Sequence, residues 1–273
     1  MLPGTAMVCY ADDTLVMAGG RGWYETQRLT EIAVACAVKA IRSLGLNVSP
    51  NKSNALGLFR HQRRGAPPSG LCVHIDEEEV QVSGQMKYLD LTIDSRWTFG
   101  PHFDDLVPKV TAAANALCGL LPNIEGAGIG VRRLYEGVIR SRVLYGTPIW
   151  AEDIMANRRS LTLLRRLHRT TAIRIARGYR TVSHSSASVL AASPPFELQA
   201  LALQQVYNHR RALNSDQDQP VQNIWRETKH RIWERWRAQL MEEDITRPHR
   251  AVRAVLPNWE AWRNLGGIPL TFR

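Results

Sequence analysis

Cysteine is scarce and poorly spaced for cross-linking or metal binding. The four thiols, Cys9, Cys36, Cys72 and Cys118, make no C-x-x-C pair, and no two histidines have zinc-finger spacing. Neither a disulfide scaffold nor a structural zinc is indicated, and the thiols read as small buried side chains in a reducing compartment. Long apolar runs are missing as well: nothing approaches the ~20 residues a membrane span needs. Met1–Met7 lacks the charged and apolar regions of a secretory signal. Lysine is rare among the bases, with five Lys against thirty Arg.

What is present is arginine, and it is unevenly placed. The net charge is +10. Residues 1–100 carry ten basic and ten acidic residues, whereas 101–273 carry 25 and 15, so the whole excess lies in the second part. Guanidinium groups suit phosphate and stack on bases, which points to nucleic acid. A GC-rich coding bias would give the same excess.

Short apolar runs at 6–10 and 14–18 flank Ala11-Asp12-Asp13 and read as a hairpin. A 3–4 periodicity predicts a helix over 23–44, closed by Gly45. Strands follow at 55–59, 71–75 and 80–82, with an acidic turn at 76–79. A basic loop covers 61–69, and β-like alternation covers 86–93. After Thr98 the period becomes helical, over 99–121, 131–145, 157–177, 185–192, 195–213 and 220–243. The tail is weakly helical around Trp259 and Trp262, and the last 60 residues are expected to pack poorly. The fold class is α+β, a small sheet with one helix followed by an all-helical part.

Tyr10-Ala11-Asp12-Asp13 is the sharpest local feature. Two adjacent carboxylates walled by apolar strands must share a cation or a proton. Mg²⁺ accepts one or two carboxylates together with substrate phosphates. Asp is equally at home in a turn with no function.

On helix 157–177, Leu161, Leu164, Leu167, Thr171 and Ile175 share one face. Arg158, Arg159, Arg165, Arg166, Arg169 and Arg177 share the other. Such a cationic face suits a phosphate backbone, or is simply solvated. Trp225, Trp233 and Trp236 lie on one helix and read first as core, second as base-stacking surface.

The order of these pieces resembles the polymerase of non-LTR (LINE-like) retrotransposons of the insect type. Val8–Met17 is similar to the Tyr-Ala-Asp-Asp hairpin, and helix 23–44 with Gly45–Ser53 to the following motif, whose lysine matches Lys52. Lys87–Asp94 resembles the primer-grip strand, Arg96–Phe99 the opening of the thumb, and Ser141–Trp150 with Arg177–Val182 the thumb and post-thumb. The resemblance implies a partial reverse-transcriptase palm at 1–95, a helical thumb at 96–180 and a helical extension at 181–273.

It also implies two-metal nucleotidyl transfer with Mg²⁺ or Mn²⁺, by an RNA-directed DNA polymerase acting inside the cell, in the nucleus. RNA template, DNA primer and dNTP are the implied partners, with no membrane. Asp12 and Asp13 would be the catalytic metal ligands. Tyr10, Lys52, Tyr88 and Leu89 would face primer or nucleotide, and the six arginines the nucleic-acid backbone. Asp90 stands where the family carries Gly and would repel primer phosphate. The fingers, the earlier catalytic Asp, the endonuclease and the Cys-Cys-His-Cys knuckle have no match in the 273 residues. The chain is therefore expected to be a fragment, inactive alone. The competing reading is a non-catalytic, Arg-rich helical protein that binds nucleic acid or a partner.

Overall fold

The computed structural model describes residues 3–59, 65–121, 128–212 and 221–264. Part of the basic loop expected over 61–69, and the end of the tail, lie outside them. The chain divides into two compact units, Met1–Thr98 and Phe99–Arg273.

The first unit is α+β. β1 (Thr5–Tyr10) and β2 (Asp13–Ala18) form an antiparallel hairpin. α1 (Trp23–Ser43) follows and packs on β2 and β4. Its end is closed by Gly45 at φ 77, as a left-handed closing residue requires, with Leu46 N–H returning to the Ile41 carbonyl. Lys52 ends a single 3₁₀ turn, Pro50–Lys52. β3 (Ala55–Leu56) runs parallel to β5 (Glu78–Ser83), which pairs antiparallel with β4 (Cys72–Ile75). β4 is thus an edge strand. α1 covers that edge: Gln27 Nε2 donates to the Cys72 carbonyl at 2.8 Å, and Glu31 accepts from the His74 N–H at 3.4 Å.

The segment expected as one β stretch over 86–93 is instead a second hairpin, β6 (Gln85–Tyr88) and β7 (Leu91–Asp94). Its two turn residues, Leu89 and Asp90, both have positive φ, 45° and 62°, as a tight hairpin turn demands. The cysteines depart from expectation too. Cys9 and Cys36 are exposed, Cys72 and Cys118 only partly buried, and all four are free thiols.

The second unit is helical: α2 (Gly100–Ala116), α3 (Ile129–Val143), α4 (Thr147–Ala156), α5 (Arg158–Ala176), α6 (His184–Leu190), α7 (Phe196–Ala212), α8 (Val221–Thr246), α9 (Arg250–Val255) and α10 (Trp259–Asn264). α4 has no counterpart in the periodicity. Gly146-Thr147-Pro148 reads as a stop, but Pro148 sits in the first helical turn, where its missing N–H costs nothing. α4 packs on α7 and buries Trp150, whose ring meets Phe103 edge-on at 5.0 Å.

The described part of the tail is well packed, against expectation. Trp236 of α8, Trp259 and Trp262 are all buried and cluster with Trp233, the four rings meeting edge-on or tilted at centroid separations of 5.0 to 5.8 Å. Aromatic pairs of this kind add about 0.5–1.5 kcal/mol each beyond their burial.

Candidate active site and nucleic-acid surface

Asp12 occupies the tip of the β1–β2 turn, beside Ala11 at φ 51. Asp13 is the first residue of β2, directly opposite Tyr10, so these two share a face. The carboxylates are not walled in as the flanking apolar runs suggest: both residues are exposed, and Tyr10 is 65% exposed. Met7, Val8 and Met17 are exposed as well, and β1 pairs only with β2 among the described residues. The physical consequence is that water alone can solvate the pair. The oxygens are therefore open to a hard cation without being forced to hold one. Two carboxylates with waters and phosphates fit an Mg²⁺ shell.

The other expected primer and nucleotide residues are spread over the unit. Lys52 is exposed, and its 3₁₀ turn packs on β5. Tyr88 and Leu89 lie at the β6–β7 turn, half-buried. Among the described residues no hydrogen bond or ion pair joins Lys52 to Asp12 or Asp13. Asp90 is not a bare charge: Lys87 Nζ lies 2.7 Å from its carboxylate. Asp94, buried, accepts from the N–H groups of Arg96 and Thr98 at 3.0 and 2.8 Å and so fixes the turn after β7.

On α5 the two-faced pattern holds, with Leu164, Leu167, His168, Thr171 and Ile175 buried. Asn157 caps its start, Oδ1 accepting from the Ser160 N–H at 3.1 Å. The arginines do not act as one free face. Arg159 pairs with Asp104 at 3.1 Å, and Arg165 Nε donates to Glu197 Oε1 at 2.7 Å. Arg169 donates to the carbonyls of Val182 and Arg180, tying down the link between α5 and α6. Arg177 is the exposed left-handed residue that ends α5. Arg158 and Arg166 are exposed and have no side-chain partner among the described residues.

Beneath α5 lies a polar chain that no motif or periodicity in the sequence announces. His168 Nδ1 is 2.9 Å from His184 Nε2, and its Nε2 is 3.3 Å from Ser193 Oγ, which donates to Glu136 at 2.8 Å. Burial, then the neighbouring charges of Arg165 and Arg169, push the His184 ring down to about 4. Burial, then His184, hold His168 well below its ordinary value.

No protein-family model matches the chain, and no solved structure does. Curated proteins do. It is 24% identical over 201 residues to a Retrovirus-related Pol polyprotein from type-1 retrotransposable element R1 of Bradysia coprophila, covering 72% of this chain and 19% of that protein. It is 22% identical over 248 residues to a protein of the same description in Nasonia vitripennis, covering 84% of this chain and 72% of that one. The chain is a relative of insect R1 retrotransposon Pol polyproteins. It spans only about a fifth of the Bradysia R1 protein's length.

Two features of this R1 relative escape a reading of its motifs. The first is a groove of about 1300 Å³ between α3, α7 and α8, whose walls include Arg132, Arg133, Arg140, Arg226, Lys229 and Trp225. Trp225 is 42% exposed there, unlike Trp236 of the same helix. About three helical turns separate the two tryptophans, so they share nearly the same phase, and only what packs on each turn of α8 sets them apart. The second is a meeting of Cys72, His74 and Glu79, whose ligand atoms lie within 4.8 Å of one another. A search for C-x-x-C or paired histidines misses it, because the spacing is that of a strand. The hydrogen bond that the His74 ring donates to Glu31, aided by the charges of Glu31 and Glu79, raises the ring above its usual value. No described helix is long and apolar enough to cross a membrane.

Proposed function

We propose that this chain is part of the reverse transcriptase of an R1-type non-LTR retrotransposon, comprising the end of the palm, the thumb and a helical extension. The observation that carries the reading is Asp12, exposed and without a side-chain partner among the described residues at the tip of a Tyr-Ala-Asp-Asp hairpin, in a chain related over most of its length to R1 Pol polyproteins. In this reading Asp12 and Asp13 supply oxygen ligands to Mg²⁺ or Mn²⁺. When bound, the ions lower the cost of charge on the primer 3′-oxygen and the triphosphate of a dNTP. Tyr10 lies beside the primer end, Tyr88 and Leu89 present the primer-grip turn, and Lys52 serves the phosphates.

RNA template and DNA primer would be held through their backbones. Arg158 and Arg166 of α5 are available for this, and so are Arg226 and Lys229 in the groove, where Trp225 offers a stacking surface. A two-ion centre needs more carboxylates than one hairpin offers, and loss of a shared ligand costs several powers of ten in rate. The 273 residues by themselves are expected not to extend a primer.

Binding of template–primer duplex tests the reading. Arg226→Gln with Lys229→Gln is expected to weaken all sequences alike and to flatten the slope of log K against log salt by about one to two, at roughly 0.7–0.9 per phosphate contact. Binding that ignores salt, or that survives this double change in a folded protein, would contradict it.

A further inference from the structure

We infer that Cys72, His74 and Glu79 form a binding site for a single Zn²⁺-class divalent cation on one face of the β4–β5 hairpin, a function independent of the polymerase reading.

The geometry follows from strand rules. Cys72 and His74 are two apart on β4, so both leave the face opposite Val73 and Ile75, which are buried. The antiparallel register sets Glu79 directly across from His74. One sulfur, one nitrogen and one carboxylate oxygen therefore converge, each within 4.8 Å of the others. Donors around a tetrahedral zinc, with bonds of about 2.0–2.3 Å, sit roughly 3.5 Å apart. The separation of His74 Nε2 from Glu79 Oε1 is 3.5 Å.

The support behind these donors is also that of a metal site. Glu31 Oε1 holds His74 Nδ1 at 2.8 Å and accepts the His74 backbone N–H as well. That fixes the ring and leaves Nε2 to face the thiol and Glu79. A carboxylate behind a metal-binding imidazole orients it and raises its basicity. Gln27 pins the Cys72 carbonyl from the same helix. Thiolate, imidazole and carboxylate together favour Zn²⁺ over Mg²⁺. Three protein ligands leave a fourth position open, and a cleft of about 470 Å³ lined by Glu31, Lys39 and Arg42 reaches His74.

The test uses the whole reduced chain with Co²⁺ as the probe. One equivalent of Co²⁺ is expected to give a thiolate-to-cobalt charge-transfer band, displaced by equimolar Zn²⁺ but not by about a hundredfold excess of Mg²⁺. Cys72→Ser should lose the band, while Cys9→Ser, Cys36→Ser and Cys118→Ser keep it. Glu31→Ala should weaken Co²⁺ binding about 10- to 100-fold without removing the band. If Cys72→Ser does not fold, His74→Asn replaces it, and Co²⁺ affinity is expected to fall by at least as much as in Glu31→Ala, because a direct ligand is lost. Absence of a thiolate band in the native chain, or its survival in folded Cys72→Ser, would overturn the assignment.

Discussion

Arg165 on α5 meets Glu197 in the first turn of α7, Nε to Oε1 at 2.7 Å, and the Glu197 side chain is 2% exposed while Arg165 remains 45% exposed. The carboxylate is buried where the helix N-terminus favours negative charge, and the guanidinium is its side-chain counter-charge. An arginine that sequence periodicity assigns to a nucleic-acid surface is thus part of the helix packing.

Removing it should therefore cost stability. Arg165→Gln strands a buried carboxylate, and the expected loss is about 2–4 kcal/mol, reduced from the fully buried case because Arg165 is half in water. Arg169→Gln frees two backbone carbonyls and should cost about 1–2 kcal/mol. Arg158→Gln and Arg166→Gln should stay within about 0.5 kcal/mol. Urea unfolding of the four variants checks the ranking; equal stability of Arg165→Gln and Arg166→Gln would contradict it.

The buried histidines predict acid sensitivity. Unfolded, His184 takes a proton near pH 6.5; folded, it stays neutral down to about 4, beside Arg165, Arg169 and His168. Between those values the unfolded chain binds more protons, so stability falls as pH falls and is restored above pH 6.5. From pH 6.5 to 5 the loss is about 2 kcal/mol from His184, and the lowered His168 adds in the same direction. Unfolding free energies measured across this range should show the slope, and His184→Gln should flatten it. A slope identical in native protein and variant would count against the neutral pair.

Asp90→Gly separates backbone from charge at the β6–β7 turn. Glycine relieves a positive φ of 62°, worth about 0.5–1 kcal/mol. The change also breaks the exposed pair with Lys87, worth about 0–1 kcal/mol. Stability should barely move. Duplex affinity should rise, because Lys87 is released and one negative charge is gone. Lys87→Gln should act the opposite way on affinity. Unchanged duplex binding in both variants, at low and at high salt, would detach this turn from the primer.

The elements were largely legible because their periods are local. α1 and α5 follow from 3.6-residue spacing with Gly45 and Asn157 at the expected ends, and the β1–β2 hairpin from two apolar runs around one turn. What failed depended on distant residues or on backbone conformation that composition does not announce. Leu89-Asp90 carries no glycine or asparagine, so alternation read straight through a turn. Pro148 starts α4 instead of ending α3. The fate of Arg165 is decided 32 residues away at Glu197. The exposure of Asp12 and Asp13 is set by what packs on β1, which the flanking apolar residues alone do not reveal.

Binding of a catalytic divalent cation at the Asp12–Asp13 hairpin, as proposed above, is open to direct measurement with paramagnetic Mn²⁺. In an NMR titration of the whole chain, with dNTP present, amide signals of residues 10–14 should broaden first, and Asp12→Asn should abolish this while broadening near His74 is unaffected. Mn²⁺ that leaves the 10–14 signals sharp, or broadens them equally in Asp12→Asn, would contradict it.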